Sequence, residues 1–232
     1  MNSLNQQVAI QVKNLQFGWP ESHPIFDQVS FTLNSGEKLL IHGPSGCGKS
    51  TFLNLLAGVV LPSSGEIWIN QQPFHQLNQP SKDQLRGEEM GFIFQQFNLI
   101  SYLSVEENIL LPAYLFDRRR QATLEEFDSF DNAVSSYMKR LGLPQELRHH
   151  PSHHLSIGQQ QRVAAARAFI GKPKIVIADE PTSSLDWNNQ VQLMDLFFSL
   201  ADEQNTALLM VSHDLRLNER FDSQLSFSEF VR

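Results

Sequence analysis

The octapeptide Gly43-Pro44-Ser45-Gly46-Cys47-Gly48-Lys49-Ser50 fits the pattern G-x-x-x-x-G-K-[ST] in full. Glycines at 43, 46 and 48 let the backbone turn its N–H groups toward phosphate oxygens, and a helix opening at the end of the loop adds the positive end of its dipole. Lys49 would pair with the β- and γ-phosphates of a nucleotide, and Ser50 would offer its hydroxyl to Mg2+. The plain alternative is a glycine-rich turn with a solvated lysine; an apolar strand before the loop and a helical pattern after it speak against that. Such a loop leaves many enzymes open, from small-molecule kinases to GTPases, so a second site decides. In Ile175-Val176-Ile177-Ala178-Asp179-Glu180, four apolar residues make a buried strand and two carboxylates emerge at its C-terminal end, where open α/β sheets bind ligands. Asp179 is placed to hold Mg2+, directly or through water, and Glu180 to take a proton from an attacking water. The competing reading of that pair is a helix cap, with Pro181 beginning the helix.

The elements that must position these groups follow from periodicity. Ala9 to Phe17 and Val29 to Leu33 alternate apolar and polar residues, which predicts an antiparallel sheet at the start of the chain. Lys38 to His42 reads as a short strand entering the glycine loop, and Thr51 to Ala57 as the helix leaving it. Gly65 to Ile69 and Gly91 to Phe94 read as strands; Val105 to Leu115, Leu124 to Leu141 and Ile157 to Ile170 read as helices. From Lys174 onward the pattern alternates strand (Ile175 to Ala178), helix (Asn189 to Leu200) and strand (Ala207 to Val211), the signal of a parallel α/β core. No repeat or low-complexity tract interrupts the chain, so the helical middle reads as an insertion in one domain.

Composition narrows the setting. The chain has 232 residues, 41% of them hydrophobic, with 18 Lys+Arg against 25 Asp+Glu and a net charge of −7. That balance argues against a surface built to neutralise nucleic-acid phosphates. No apolar run reaches the roughly 18 residues that a spanning helix needs. The start of the chain, Met1 to Gln7, lacks the basic and apolar regions of a secretion signal, so a cytoplasmic location is expected. The single cysteine, Cys47, can form neither an internal disulfide nor a thiolate cluster. Its place at a helix N-terminus could make it reactive, but bound nucleotide would shield it. His149, His150, His153 and His154 read as a solvated loop rather than a metal site, since Pro151 interrupts any shared face. Arg118-Arg119-Arg120, followed by Glu125, Glu126 and Asp128, reads as an exposed helix.

Further motifs in the same order make the chain resemble the ATP-binding cassette (ABC) family from about Ile10 onward. Leu155-Ser156-Ile157-Gly158-Gln159, followed by Gln160-Gln161-Arg162, is similar to the LSGGQ signature. Gln95 matches the Q-loop glutamine, Ser184-Leu185-Asp186 the D-loop, and His213 the switch histidine, while Trp19 falls where the family sets an aromatic against adenine. The resemblance implies an α/β P-loop NTPase fold: a RecA-like parallel sheet core, an N-terminal antiparallel β subdomain and an inserted α-helical subdomain. It implies one nucleotide-binding domain over 1–232, with the helical subdomain at about 96–168. ATP and Mg2+ are the implied cofactors. The implied nucleotide contacts are Trp19, the loop Gly43, Pro44, Ser45, Gly46, Cys47, Gly48, Lys49, Ser50 and Thr51, and Ser156, Gly158, Gln159 and Asp186. Ser50, Gln95 and Asp179 would hold the metal, and Glu180, His213, Gln95 and Lys49 would carry the chemistry. Ser156 and the Gly158 N–H would reach the γ-phosphate held by a second protomer, so a homodimer is part of the expectation. Ile157 replaces the first glycine of the usual signature, and it fits only with its side chain turned away from the nucleotide.

With one cassette and little chain after His213, the translocation machinery is expected to come from integral membrane permease subunits, against whose cytoplasmic ends this chain would sit on the inner face of the membrane. Met90-Gly91-Phe92-Ile93-Phe94-Gln95-Gln96-Phe97-Asn98-Leu99, with Glu107-Asn108-Ile109 and Pro112, resembles the compact ATPases of lipoprotein-release, macrolide-export and cell-division systems. Export or mechanical transmission is therefore expected. ATPases of polar amino-acid importers, which share Phe97-Asn98-Leu99, and a non-transport regulator of a membrane-anchored envelope partner are the alternatives. A nucleic-acid ATPase is disfavoured by the acidic balance and the lack of a long coiled coil.

Overall fold

The computed structural model describes residues 7–20, 25–44, 46–183 and 185–230. Two compact units emerge. The first comprises Met1–Arg86, Ile177–Glu180 and Ala207–Arg232, and the second Gly87–Val176 and Pro181–Thr206.

In the first unit, β1 (Val8–Phe17) lies between β2 (Phe26–Asn34) and β4 (Ser64–Ile69) in an antiparallel sheet. The pairs Val12↔Phe31 and Val12↔Ile67 fix its register. Alternation puts Ile10, Val12, Leu15, Val29, Leu33, Ile67 and Ile69 in the core, as expected for a sheet buried on one face. The register shifts between Val12 and Leu15, where Asn14 takes φ 48°. β3 (Lys38–His42) pairs parallel to β7 (Ala207–Ser212) on one side and β8 (Ser223–Ser226) on the other. Every residue of β7 is buried, which is why its sequence runs apolar without alternation. With β6 (Ile175–Asp179), whose last three residues lie in this unit, these strands run in the order β6-β7-β3-β8; β5 (Met90–Ile93) belongs to the second unit. Helix α1 (Lys49–Leu56) leaves the glycine loop, and α2 (Gln79–Glu89) is polar enough to escape a reading by periodicity. β8 and the short turn Phe227–Glu229 were likewise unanticipated.

The second unit is mostly helical: α3 (Val105–Leu115), α4 (Asp117–Phe127), α5 (Phe130–Arg140), α6 (Ile157–Phe169) and α7 (Trp187–Gln204). The helix expected over Leu124 to Leu141 is in fact two. Asp128 turns left-handed at φ 63°, closing α4, and the Ser129 hydroxyl accepts from the Asn132 N–H at 3.1 Å to open α5. Pro181 starts a turn and not a helix, which removes the capping reading of Asp179 and Glu180.

The arginine run is also corrected. Arg119 is 1% exposed, and its guanidinium donates to the carbonyls of Ile170 (2.7 Å), Met90 (3.2 Å) and Ala168 (3.2 Å). Arg118 donates to the Glu88 carbonyl and pairs with Glu89 at 3.1 Å, so only Arg120 is fully solvated. Carbonyls in the last turn of a helix lack intrahelical partners, and α6 ends at Phe169. The Arg119 cation therefore caps α6 at its negative end, which is what makes its burial tolerable without a carboxylate partner. Burial pushes its pKa down to about 9, still above neutrality.

Candidate functional site

The carboxyl ends of β3, β6 and β7 are stitched together within the first unit. The Gly43 N–H donates to the Ser212 carbonyl at 3.4 Å and the Glu180 N–H to the Val211 carbonyl at 3.0 Å. This sets the glycine loop, the two carboxylates and His213 side by side, where a parallel sheet presents ligand groups.

Lys49 lies at the first position of α1 and is 6% exposed. Its Nζ donates to the Gly43 carbonyl (3.0 Å) and the Pro44 carbonyl (2.8 Å) and lies 3.2 Å from Glu180 Oε1. Three oxygens thus use the three hydrogens of the ammonium. Glu180 sits in the left-handed region at φ 45°, which costs a non-glycine residue of order 1 kcal/mol or more and is typical of groups held for function. Its other oxygen, Oε2, lies 3.0 Å from His213 Nδ1, so the glutamate bridges lysine and histidine. Ser50 Oγ donates to Asp179 Oδ2 at 3.1 Å. Burial raises the pKa of Asp179, opposed by the Ser50 hydrogen bond; the neighbouring Glu180 charge raises it further and Lys49 lowers it.

The loop needs its glycines for different reasons. Gly48 has φ 103°, and a Cβ there would press on Ile25 and Phe26 at 3.1 and 3.3 Å. A Cβ on Gly43 would stand 2.5 Å from Phe227 Cβ. Phe227 belongs to an aromatic cluster with Phe26 (5.7 Å), Phe52 (6.0 Å) and Phe230 (5.5 Å), and Phe26 also neighbours Phe17. Trp19, 48% exposed, stands edge-on to Phe17 at 5.1 Å, so the aromatic set continues from α1 to the expected adenine platform. Gly46, Cys47 and Thr51 complete the described loop; Cys47 is a partly exposed free thiol. Ser45 lies outside the described residues, as does Ser184.

The remaining expected residues belong to the second unit. Exposed Gln95 follows β5, and its Nε2 lies 3.4 Å from Ser183 Oγ, in the turn leading to the D-loop. Ser156 caps α6: its Oγ accepts from the Gln159 N–H (3.3 Å) while Gln159 Oε1 accepts from the Ser156 N–H (2.9 Å). Ile157 is 57% exposed, and among the described residues outside the helix's own backbone nothing lies within 4 Å of where a Cβ on Gly158 would be. Asp186 caps α7, accepting from the Asn189 N–H at 3.1 Å and the Asn189 side chain at 2.6 Å, and these bonds lower its pKa. Sequence reasoning missed Ser183, Phe227 and the arginines of this unit. Among the described residues no group of three or more His, Cys, Asp and Glu is arranged to hold a metal ion. His149, His150, His153 and His154 are exposed.

A buried ammonium in a glycine loop, beside a paired hydroxyl and carboxylate and a glutamate oriented by a histidine, can bind a nucleotide's phosphates and activate water. Comparison with known proteins agrees. The family model for ABC transporters matches residues 26–183. The lipoprotein-releasing system ATP-binding protein LolD of Hydrogenovibrio crunogenus is 40% identical over 225 residues, 96% of this chain and 94% of that protein. YbbA of Escherichia coli, an uncharacterized ABC transporter ATP-binding protein, is 42% identical over 198 residues, 85% and 83% of the two chains. Among solved structures, the dimeric post-hydrolysis state of the ATP-binding cassette MJ0796, bound to ADP and Pi, superposes with a TM-score of 0.79 at 30% identity, covering 94% of this chain and 93% of that one. CbiO1 from Clostridium perfringens, part of the ABC transporter complex cbiONQ, gives 0.82 at 27% identity, covering 95% and 85%. The chain belongs to the ABC transporter family, as one of its ATP-binding, ATP-hydrolysing cassettes.

Proposed function

We propose that Glu180 is the general base of ATP hydrolysis and that this chain works as a dimer driving an integral membrane partner of export or force-transmitting type. The observation that carries the reading is the bridge of Glu180 between Lys49 Nζ at 3.2 Å and His213 Nδ1 at 3.0 Å. A γ-phosphate carries more charge than a carboxylate and competes for the Lys49 ammonium, which frees Glu180 Oε1 to accept a proton from water. His213 keeps the other oxygen oriented and reaches the γ-phosphate from its exposed edge. The strained φ of Glu180 and its backbone bond to Val211 fix where that carboxylate can point.

Ser50 Oγ and Asp179 Oδ2 form a hard-oxygen donor pair suited to Mg2+. The resemblance to the family adds Gln95, on the second unit, as a further ligand. When bound, Mg2+ neutralises charge on the β- and γ-phosphates. Trp19 gives the adenine a half-exposed aromatic surface. At α6, the N–H of Gly158 is one of the first-turn donors that a helix leaves unpaired. Among the described residues nothing outside the helix's own backbone lies within 4 Å of where a Cβ on Gly158 would be, and Ile157 is exposed. That supports a signature face offered to a second protomer, as does the likeness to a dimeric cassette.

No helix among the described residues is long and apolar enough to cross a membrane. The likeness to LolD supports a partner of the lipoprotein-releasing kind, with this chain on the cytoplasmic face. The test is copurification: tagged Glu180→Gln with Mg-ATP is recovered from detergent-solubilised membranes of the host, and its partners are identified by mass spectrometry. Recovery of a membrane protein with few spans and a large extracytoplasmic domain is expected. A many-span permease would favour ordinary transport, and recovery of soluble or nucleic-acid partners alone would overturn the membrane reading.

A further inference from the structure

The segment just after Gln95 contains a strained feature with a specific restraint. Phe97 and Asn98 are successive non-glycine residues in the left-handed region, with φ 61° and 46°. An aromatic residue there is an outlier, because Cβ crowds the backbone, and two in sequence compound the cost. Phe97 is nonetheless buried, 7% exposed, so the turn is held in place and not merely permitted. The restraint is Arg167. Its Nη2 donates to the Phe97 carbonyl at 2.6 Å and its Nη1 to the Asn98 carbonyl at 2.8 Å, one guanidinium fork spanning the strained peptides. Burial lowers the pKa of Arg167.

Arg167 lies in the last turn of α6, the helix whose N-terminus carries Ser156, Ile157 and Gly158. The helix is continuous and its two ends are restrained: Ser156 and Gln159 cap the start, and Arg119 holds the Ala168 and Ile170 carbonyls at the finish. A rigid rod with a fork at one end and the signature at the other ties the position of the Gln95 segment to that of the signature.

We propose that Arg167 is a positioning residue for hydrolysis, acting through Gln95: it holds the Phe97-Asn98 turn in its strained form and so fixes the placement of the Gln95 segment on its own unit. The inference rests on the reading of Gln95 as a group that contacts the metal and the attacking water. Without the fork, the turn relaxes toward negative φ and Gln95 is displaced, while the nucleotide-binding loop, which belongs to the first unit, keeps its affinity.

A double-mutant cycle on ATP hydrolysis by the full chain tests this, with Arg167→Ala, Gln95→Ala and the double variant, each checked for folding by thermal melt. Arg167→Ala should lower kcat roughly 10- to 100-fold, the scale expected when a reacting group is misplaced by an ångström, and leave KM for ATP within about twofold. Arg167→Lys, which keeps the charge but only one point of contact, should fall in between; it replaces alanine in the cycle if that variant fails to fold. In the double variant the two losses should not add, because Arg167 acts through Gln95. Full additivity, or an Arg167→Ala enzyme with unchanged kcat beside a slow Gln95→Ala enzyme, would overturn the role of Arg167 while leaving that of Gln95. A Gln95→Ala enzyme of normal kcat would remove the reading of Gln95 and the inference with it.

Discussion

Replacing Arg119 with methionine isolates the effect of a buried cation that has no carboxylate partner. Methionine keeps much of the side chain's length and apolar contact but removes three hydrogen bonds, to the carbonyls of Met90, Ala168 and Ile170. Each buried acceptor left without a donor costs about 1–3 kcal/mol. Against this stands the relief from holding a guanidinium out of water, the effect that pushes its pKa down to about 9. If the two effects were equal the change would be neutral, as happens when a buried polar pair is replaced as a whole. Here only one side of the interaction is removed and the backbone carbonyls remain, so the balance falls on loss, by about 3–5 kcal/mol. Urea denaturation of wild type and Arg119→Met at neutral pH, with m compared to confirm that both unfold alike, gives the difference directly. A loss below about 1 kcal/mol, or a gain, would refute the reasoning and mean that water or a shift of α4 satisfies those carbonyls.

Two further outcomes follow from the loop and its carboxylate. Gly43→Ala forces a methyl group to within 2.5 Å of Phe227 Cβ and should cost about 1–3 kcal/mol; ATP binding followed by calorimetry should weaken in parallel. Unchanged binding would show that the C-terminal aromatic cluster does not shape the loop. Asp179 has a raised pKa, so the folded chain holds that proton more tightly than the unfolded chain, and the stability this gives at low pH is lost as pH rises from the usual carboxylate range through the raised value. Asp179→Asn should therefore melt above wild type at neutral pH, the gap closing as the medium is acidified toward about pH 4, while hydrolysis is lost. A lower melting temperature at neutral pH would contradict that sign.

The parts of the site legible in the sequence are those encoded locally. The glycine loop and the strand ending in Asp179 and Glu180 each lie within a few residues, so spacing alone reveals them, whereas Ser156 and Gln159 are reached through the resemblance to the family signature and their capping box appears only in the structure. What stayed hidden depends on distant chain. A run of three arginines beside glutamates reads as solvated, yet Arg119 is buried because the end of α6 brings it unpaired carbonyls from about fifty residues away in sequence. Arg167 looks like any helix-surface arginine until the left-handed turn at Phe97 and Asn98 is seen. The division of α4 from α5 turns on Asp128 adopting a positive φ, a choice open to aspartate but not compelled by it. Phe227, in a weakly patterned C-terminal stretch, gave no sign that it would lie against Gly43.

The account stands most directly on Glu180. Hydrolysis of radiolabelled ATP by purified Glu180→Gln, measured under single turnover with Mg2+ beside wild type and with bound nucleotide followed by filter retention, separates binding from chemistry. The isosteric amide keeps a contact to Lys49 and His213 but cannot take a proton, so ATP should be retained, with accumulation of an ATP-bound dimer, while the rate falls by roughly 100- to 10,000-fold. Turnover at the wild-type rate would contradict the assignment of Glu180 as the base.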